Sequence, residues 1–145
     1  KHFEHWPSQK LRQAAGEFLG IDIDEKALQK TKALNLPYEY GNIEDIGSLP
    51  AERNFDLIVM RDVIEHLSNV GKSLETMKAL LTADGMIVIS TPNPWSLNNL
   101  FRVVTFRSPR MNADHTCFLT EDHFKAILQH LITNIHLKTF RGVSS

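Results

Sequence analysis

The apolar residues of the chain are gathered into short runs, and between the runs they recur at helical spacing. Residues 3–15 read as a polar helix anchored by Phe3 and Trp6, with Pro7 near its start. Residues 17–22 read as a strand that ends abruptly in Asp22. Asp24 is placed to cap a helix from Glu25 to Leu34, whose Ala27, Leu28 and Leu34 keep helical spacing. "LPYEY" is a further strand, and the loop "GNIEDIGSLP" follows it. "FDLIVM", Phe55 to Met60, is almost wholly apolar after Asp56, as a strand buried on both faces is. "VIEHL" opens a short helix, Lys72 to Leu81 a longer one, "ADG" turns the chain, and "MIVIS" is a second strand of the both-faces-buried kind. After the break "TPNPW", Leu97, Leu100, Phe101 and Val104 make an apolar helical stripe. "TEDHFKAILQHL" is a helix with Thr120 at its cap, and "ITNIHLKTF" closes as an alternating strand. Strand and helix alternate throughout, so the fold class is α/β with a mostly parallel sheet.

Composition narrows the picture. At 145 residues and 42% hydrophobic, the chain has the material for one globular domain, residues 1–145, with a real core. A formal charge of -1 gives no general signal for nucleic acid or an anionic membrane surface. The single Cys117 excludes an intrachain disulfide and fits a reducing, cytoplasmic setting, where it would serve as a small buried apolar residue. No apolar stretch reaches transmembrane length and no signal peptide is expected at the start.

An acid at a strand end is the first chemical clue. In open α/β sheets ligands sit beyond the carboxyl ends of the strands, and an acid there accepts hydrogen bonds from ribose hydroxyls. Asp22 stands in that position. Helix capping is the bland alternative for Asp22, but Asp24 is better placed for it.

Four segments follow in a fixed order: "GIDIDEKAL", "GNIEDI", "FDLIVMRDVIEHL" and "LLTADGMIVISTPN". Together they resemble the class I S-adenosylmethionine-dependent methyltransferases. The likeness is greatest to ubiquinone-biosynthesis-type O-methyltransferases and their relatives acting on small molecules and RNA ends. It spans residues 17–131. The resemblance implies a Rossmann-like fold with a mostly parallel seven-stranded sheet and S-adenosylmethionine across its strand ends. It implies that Asp22 holds the ribose hydroxyls, that Ile23 packs on the adenine, and that Ile43 offers an N–H and an apolar side chain to the same ring. Asn42 stands where the family often carries an Asp that reaches the adenine amino group; an amide can accept there without charge. The plain alternative for Asn42 is a turn residue after Gly41. Arg61 and Asp62 would line the methionine end.

One part of the family pattern is absent. A first strand and a glycine-rich loop belong about 20 residues before the acid. Upstream of Glu17 stands only "KHFEHWPSQKLRQAAG". Leaving a sheet without its central strand would strand backbone donors and acceptors at roughly 1–3 kcal/mol each where they are buried. The expectation is therefore that residues intervene between Ala14 and Glu17 in a fuller chain, or that the fold is a different one.

In "RDVIEHL", Asp62, Glu65 and His66 are spaced i, i+3, i+4, on one helical face. Three readings stay open. Asp62 and Glu65 match a capping box. His66 near the methyl donor would take the proton from a substrate hydroxyl. Some relatives hold a divalent cation through an acid-x-x-Glu-His cluster with a later His, here His115; such mixed ligands suit Mn, Zn, Fe or a hydrated Mg. We assign His66 as catalytic and no residue as a metal ligand.

Residues 94–118 fall where the family builds its substrate cover. Leu97, Leu100, Phe101 and Val104 would face an apolar substrate and Arg102, Arg107 and Arg110 an anion; an ordinary amphipathic helix with solvated arginines is the simpler account. The combined expectation is S-adenosylmethionine-dependent methyl transfer to a hydroxyl oxygen of a small molecule. The alternatives are metal-assisted methylation of an RNA-end 2′-hydroxyl, which the net charge disfavours, a dinucleotide-binding Rossmann module using the same Asp22, and a catalytically silent binding module. Substrate identity and oligomeric state are not legible in the sequence.

Overall fold

The computed structural model describes residues 7–49, 54–93, 95–106, 114–117 and 119–129. The chain divides into two compact units, Lys1–Ala51 and Glu52–Ser145. Each is built around one parallel strand pair joined by a helix, the β-α-β arrangement that parallel strands require.

In the first unit α1 (Pro7–Ala14) precedes β1 (Gly20–Asp22), α2 (Glu25–Ala33) and β2 (Tyr38–Tyr40). Pro7 begins α1, where a missing N–H costs nothing. Asp24 caps α2 by accepting the Lys26 N–H at 2.8 Å, as the sequence suggests. Asn35, at φ 54°, ends α2 in the left-handed conformation common just past a helix C-terminus. β1 and β2 pair in the register Gly20↔Tyr38, Ile21↔Glu39, Asp22↔Tyr40. Glycine is needed at position 20, because a Cβ there would run into the Tyr38 ring. Among the described residues Leu28, Thr31 and Leu49 are the buried side chains of this unit.

The second unit runs β3 (Phe55–Arg61), a single 3-10 turn (Ile64–His66), α3 (Val70–Ala79), β4 (Leu81–Ser90), α4 (Leu97–Phe106) and α5 (Glu121–Leu128). Asn69 caps α3 through the Lys72 N–H at 3.0 Å. Ile64, Leu74 and Met77 are fully buried, with Met60, Leu67, Leu119 and Leu128 around them. Each such side chain contributes roughly 1.5–3 kcal/mol by leaving water.

The structure corrects several details. α3 starts and ends two residues earlier than the sequence pattern suggests. The "ADG" turn does not interrupt the strand. β4 carries through it with a register slip, so that Phe55 faces Leu81 while Leu57 faces Met86. The Thr82 hydroxyl ties the slipped segment to β3 by donating to Asp56 Oδ1 at 3.0 Å. β3 and β4 are not buried on both faces. In-register pairing puts Leu57, Val59, Met86 and Val88 on one side of the sheet, and all four are exposed. Ile58, Met60, Ile87 and Ile89 are on the other side, where Met60 is buried and the rest are half-buried. Among the described residues the strands number four, in two two-stranded sheets. The expected closing strand at "ITNIHLKTF" lies outside the described residues, as do Phe3 and Trp6.

Candidate functional site

In the first unit, β1 ends at the half-buried Asp22. Its Oδ1 accepts the Asp24 N–H at 2.9 Å, which fixes the direction of the carboxylate. Among the described residues Oδ2 has no partner and is left for a ligand's donors. Ile23, next along, is an apolar side chain left 63% exposed. Across the strand ends, Asn42 and Ile43 follow β2. The Asn42 N–H donates to the Ser48 hydroxyl at 2.8 Å, and Asn42 Oδ1 accepts the Glu44 N–H at 2.9 Å. The turn role foreseen for Asn42 is therefore present, and one lone pair of the amide oxygen remains. Gly41 is buried, and a Cβ there would come within 2.8 Å of Ile21 Cγ2 and Leu49 Cδ2. That close approach brings the two strand ends together. A carboxylate oxygen, an apolar side chain and an amide at the carboxyl ends of parallel strands fit the ribose and adenine of a nucleoside.

In the second unit, Arg61 closes β3 and Asp62 leaves it with φ 50°. That is a costly backbone state for most residues but one that Asp tolerates. The Asp62 N–H donates to the Ser90 carbonyl at 3.0 Å, extending the sheet bonding by one residue. Arg61 Nε stands 3.3 Å from Asp62 Oδ2, with both side chains more than half exposed, a pair worth little in stability.

The capping box is not formed. The residue before the 3-10 turn is Val63, with no side-chain cap, because Asp62 is turned away by its left-handed backbone. Glu65 instead points inward. It is 3% exposed, and its Oε2 accepts the Thr91 hydroxyl at 3.0 Å. His66, adjacent in the same turn, is exposed, and its Nδ1 is 3.0 Å from the Asp114 carbonyl oxygen. A carbonyl only accepts, so Nδ1 carries a proton, and in the neutral imidazole the lone pair is then on Nε2.

The segment around His115 is fastened across this turn. The Glu65 carbonyl accepts the Thr116 N–H at 2.8 Å, the Cys117 N–H at 3.3 Å and the Thr116 hydroxyl at 2.9 Å. That hydroxyl is also 2.7 Å from the Leu67 carbonyl. His115 is thereby brought to His66, and the ligand atoms of Glu65, His66 and His115 all lie within 4.8 Å of one another. Asp62 is not part of this group. Among the described residues no Lys or Arg pairs with the buried Glu65. A buried carboxylate with one neutral donor calls for a positive partner. Two imidazoles beside it make a donor set that fits a divalent transition metal.

Sequence reasoning had Glu65, His66 and His115 in view but missed Thr91 and Thr116. Thr91 carried a signal, since it stands immediately after a strand in "ISTPN". Thr116 carried none, because its role depends on where its segment lands. On α4 the apolar Leu100, Phe101 and Val104 are exposed, and the Arg102 guanidinium lies over the Phe106 ring at 5.6 Å. Arg107 and Arg110 lie outside the described residues. No helix among the described residues is long and apolar enough to cross a membrane.

The chain is similar to several known proteins. The ubiquinone biosynthesis O-methyltransferase of Bradyrhizobium diazoefficiens is 29% identical over 91 residues, covering 59% of this chain and 35% of that protein. That of Rickettsia typhi is 25% identical over 142 residues, covering 94% of this chain and 56% of its own length. The chain thus spans between about a third and somewhat over half of these curated relatives. A SAM-dependent methyltransferase from Archaeoglobus fulgidus superposes with a TM-score of 0.65 at 24% identity, over 85% of this chain and 54% of that one. The likeness extends to the fold, which is Rossmann-like. A model of the methyltransferase domain matches residues 4–131, nearly the whole chain, and with it the chain belongs to the methyltransferase domain family.

Proposed function

We propose that the chain is part of an S-adenosylmethionine-dependent methyltransferase that methylates a hydroxyl oxygen of a small molecule. Its relatives named for ubiquinone biosynthesis O-methylation favour oxygen as the acceptor. In the full protein the sheet has seven strands, and among the described residues each two-stranded sheet leaves an edge unpaired for a neighbour. Asp22 holds the ribose hydroxyls, Ile23 and Ile43 pack on the adenine, and Asn42 reaches its amino group. Arg61 and Asp62 line the methionine end. Residues 94–118 cover the substrate.

S-Adenosylmethionine supplies an already activated methyl group, so the protein's task is alignment and removal of the acceptor's proton. The observation that carries the reading is the convergence of Glu65, His66 and His115. His66, its Nδ1 proton committed to Asp114, offers Nε2 as the proton acceptor. Glu65 balances the positive charge that the imidazole then gains.

A second reading is favoured by the burial of Glu65 with no Lys or Arg paired to it among the described residues. In it Glu65, His66 and His115 hold a divalent cation. The cation would lower the pKa of an acceptor hydroxyl. The test is methyl transfer from tritium-labelled S-adenosylmethionine to a panel of phenols and catechols. It is run on chelator-treated enzyme with and without added Mn²⁺. Activity that survives chelation but fails in His66→Ala supports the base. Activity that needs Mn²⁺ supports the cation. No transfer by full-length protein to any hydroxyl acceptor would contradict both.

A further inference from the structure

Thr91 is half-buried and immediately follows β4, whose last residue, Ser90, is in register with Arg61 and accepts the Asp62 N–H. Its backbone is therefore anchored at the sheet end from which the 3-10 turn departs. From there its hydroxyl donates to Glu65 Oε2 at 3.0 Å. The main chain of Glu65 is gripped separately, through its carbonyl, by Thr116 and Cys117 of the segment that carries His115. Glu65 is thus held at both ends, from two different parts of the unit.

A hydroxyl donates one hydrogen bond and brings no charge. It does not neutralise a buried carboxylate, as an Arg or Lys would. What it does is restrict the rotation of the carboxylate, one oxygen of which it occupies. That is the arrangement found behind metal-ligating carboxylates, which are themselves hydrogen-bonded by an outer layer of partners. We infer that Thr91 is a positioning residue, which aims the Glu65 carboxylate into the Glu65–His66–His115 cluster so that a divalent cation can bind there. The inference rests on the cation reading given under Proposed function.

The test is calorimetric titration of Mn²⁺ into the metal-free protein and into Thr91→Ser, Thr91→Val and Glu65→Gln, with the visible absorption of added Co²⁺ as an independent readout. Wild type takes up one cation, and Glu65→Gln weakens that uptake. Thr91→Val loses roughly 10- to 100-fold in affinity and alters the Co²⁺ spectrum, while Thr91→Ser, which keeps the hydroxyl, binds as wild type does. Should Thr91→Val not fold, Thr91→Ala is read against Thr91→Ser in the same way. A Thr91→Val protein that melts at a lower temperature yet binds Mn²⁺ with wild-type affinity and an unchanged Co²⁺ spectrum overturns the inference, since the hydroxyl would then serve the fold alone. A wild-type protein that binds neither ion overturns the cation reading itself.

Discussion

The imidazole of His115 meets that of His66 edge-on, with ring centroids 4.7 Å apart and planes at 88°. Nothing in the sequence interval between them fixes this. It comes from hydrogen bonds that Thr116 and Cys117 make to the Glu65 carbonyl. The first expectation concerns this pair. His115→Ala should weaken Mn²⁺ binding by at least about tenfold, or 1.4 kcal/mol, while leaving S-adenosylhomocysteine affinity near that of the unaltered protein. Paired calorimetric titrations with the two ligands check it.

His66 should govern rate more than binding. His66→Ala should lower kcat with an accepted hydroxyl substrate and leave cofactor affinity nearly constant. Steady-state kinetics beside a binding titration make the distinction. Turnover that survives intact would leave His66 only its hydrogen bond to Asp114.

Gly85 lies in the stretch between Leu81 and Met86 over which β4 slips its register. A Cβ there would lie 2.9 Å from the Phe55 carbonyl oxygen and 3.1 Å from that of Thr82, both backbone atoms that cannot swing aside. Gly85→Ala should therefore destabilise the second unit by about 1–3 kcal/mol. The midpoint of urea unfolding reads the loss.

Met77 on α3 is completely buried, as are Ile64 and Leu74 among the described large side chains of this unit. Met77→Ala should cost about 2–5 kcal/mol, the spread reflecting how far the neighbours collapse into the space. Leu57→Ala, on the exposed face of β3, should cost far less, and urea unfolding of the two variants compares them directly.

The order of elements was legible because period and punctuation carry it. Apolar runs bounded by Gly, Pro and Asp gave the strands, and Asp24 and Thr120 marked true helix starts. Burial was less legible. "FDLIVM" and "MIVIS" have the composition of strands covered on both sides, but cover is supplied by other elements, and a strand's own letters do not reveal whether it is there. The motif "RDVIEHL" shows the same limit at the site. Asp-x-x-Glu is the pattern both of a capping box and of a ligand cluster. The backbone decides between them, through the left-handed turn at Asp62 that releases Glu65 to point inward. The place of Asp22 at the end of β1 was readable because it depends on one local fact, an acid that closes an apolar run. Thr91 stands at a legible place, just past a strand, but its bond to Glu65 is tertiary, and Thr116 reaches Glu65 with no local signal at all.

The most direct measurement is calorimetric titration of S-adenosylhomocysteine into the protein and into Asp22→Ala. The Asp22 carboxylate, with Oδ1 held by the Asp24 N–H and Oδ2 without a partner among the described residues, is the group assigned to the ribose hydroxyls. Saturable binding to the unaltered protein, weakened at least about tenfold by the substitution, is the result the account predicts. Binding of equal strength in both proteins would contradict the ribose assignment, and no binding to full-length protein would contradict the cofactor itself.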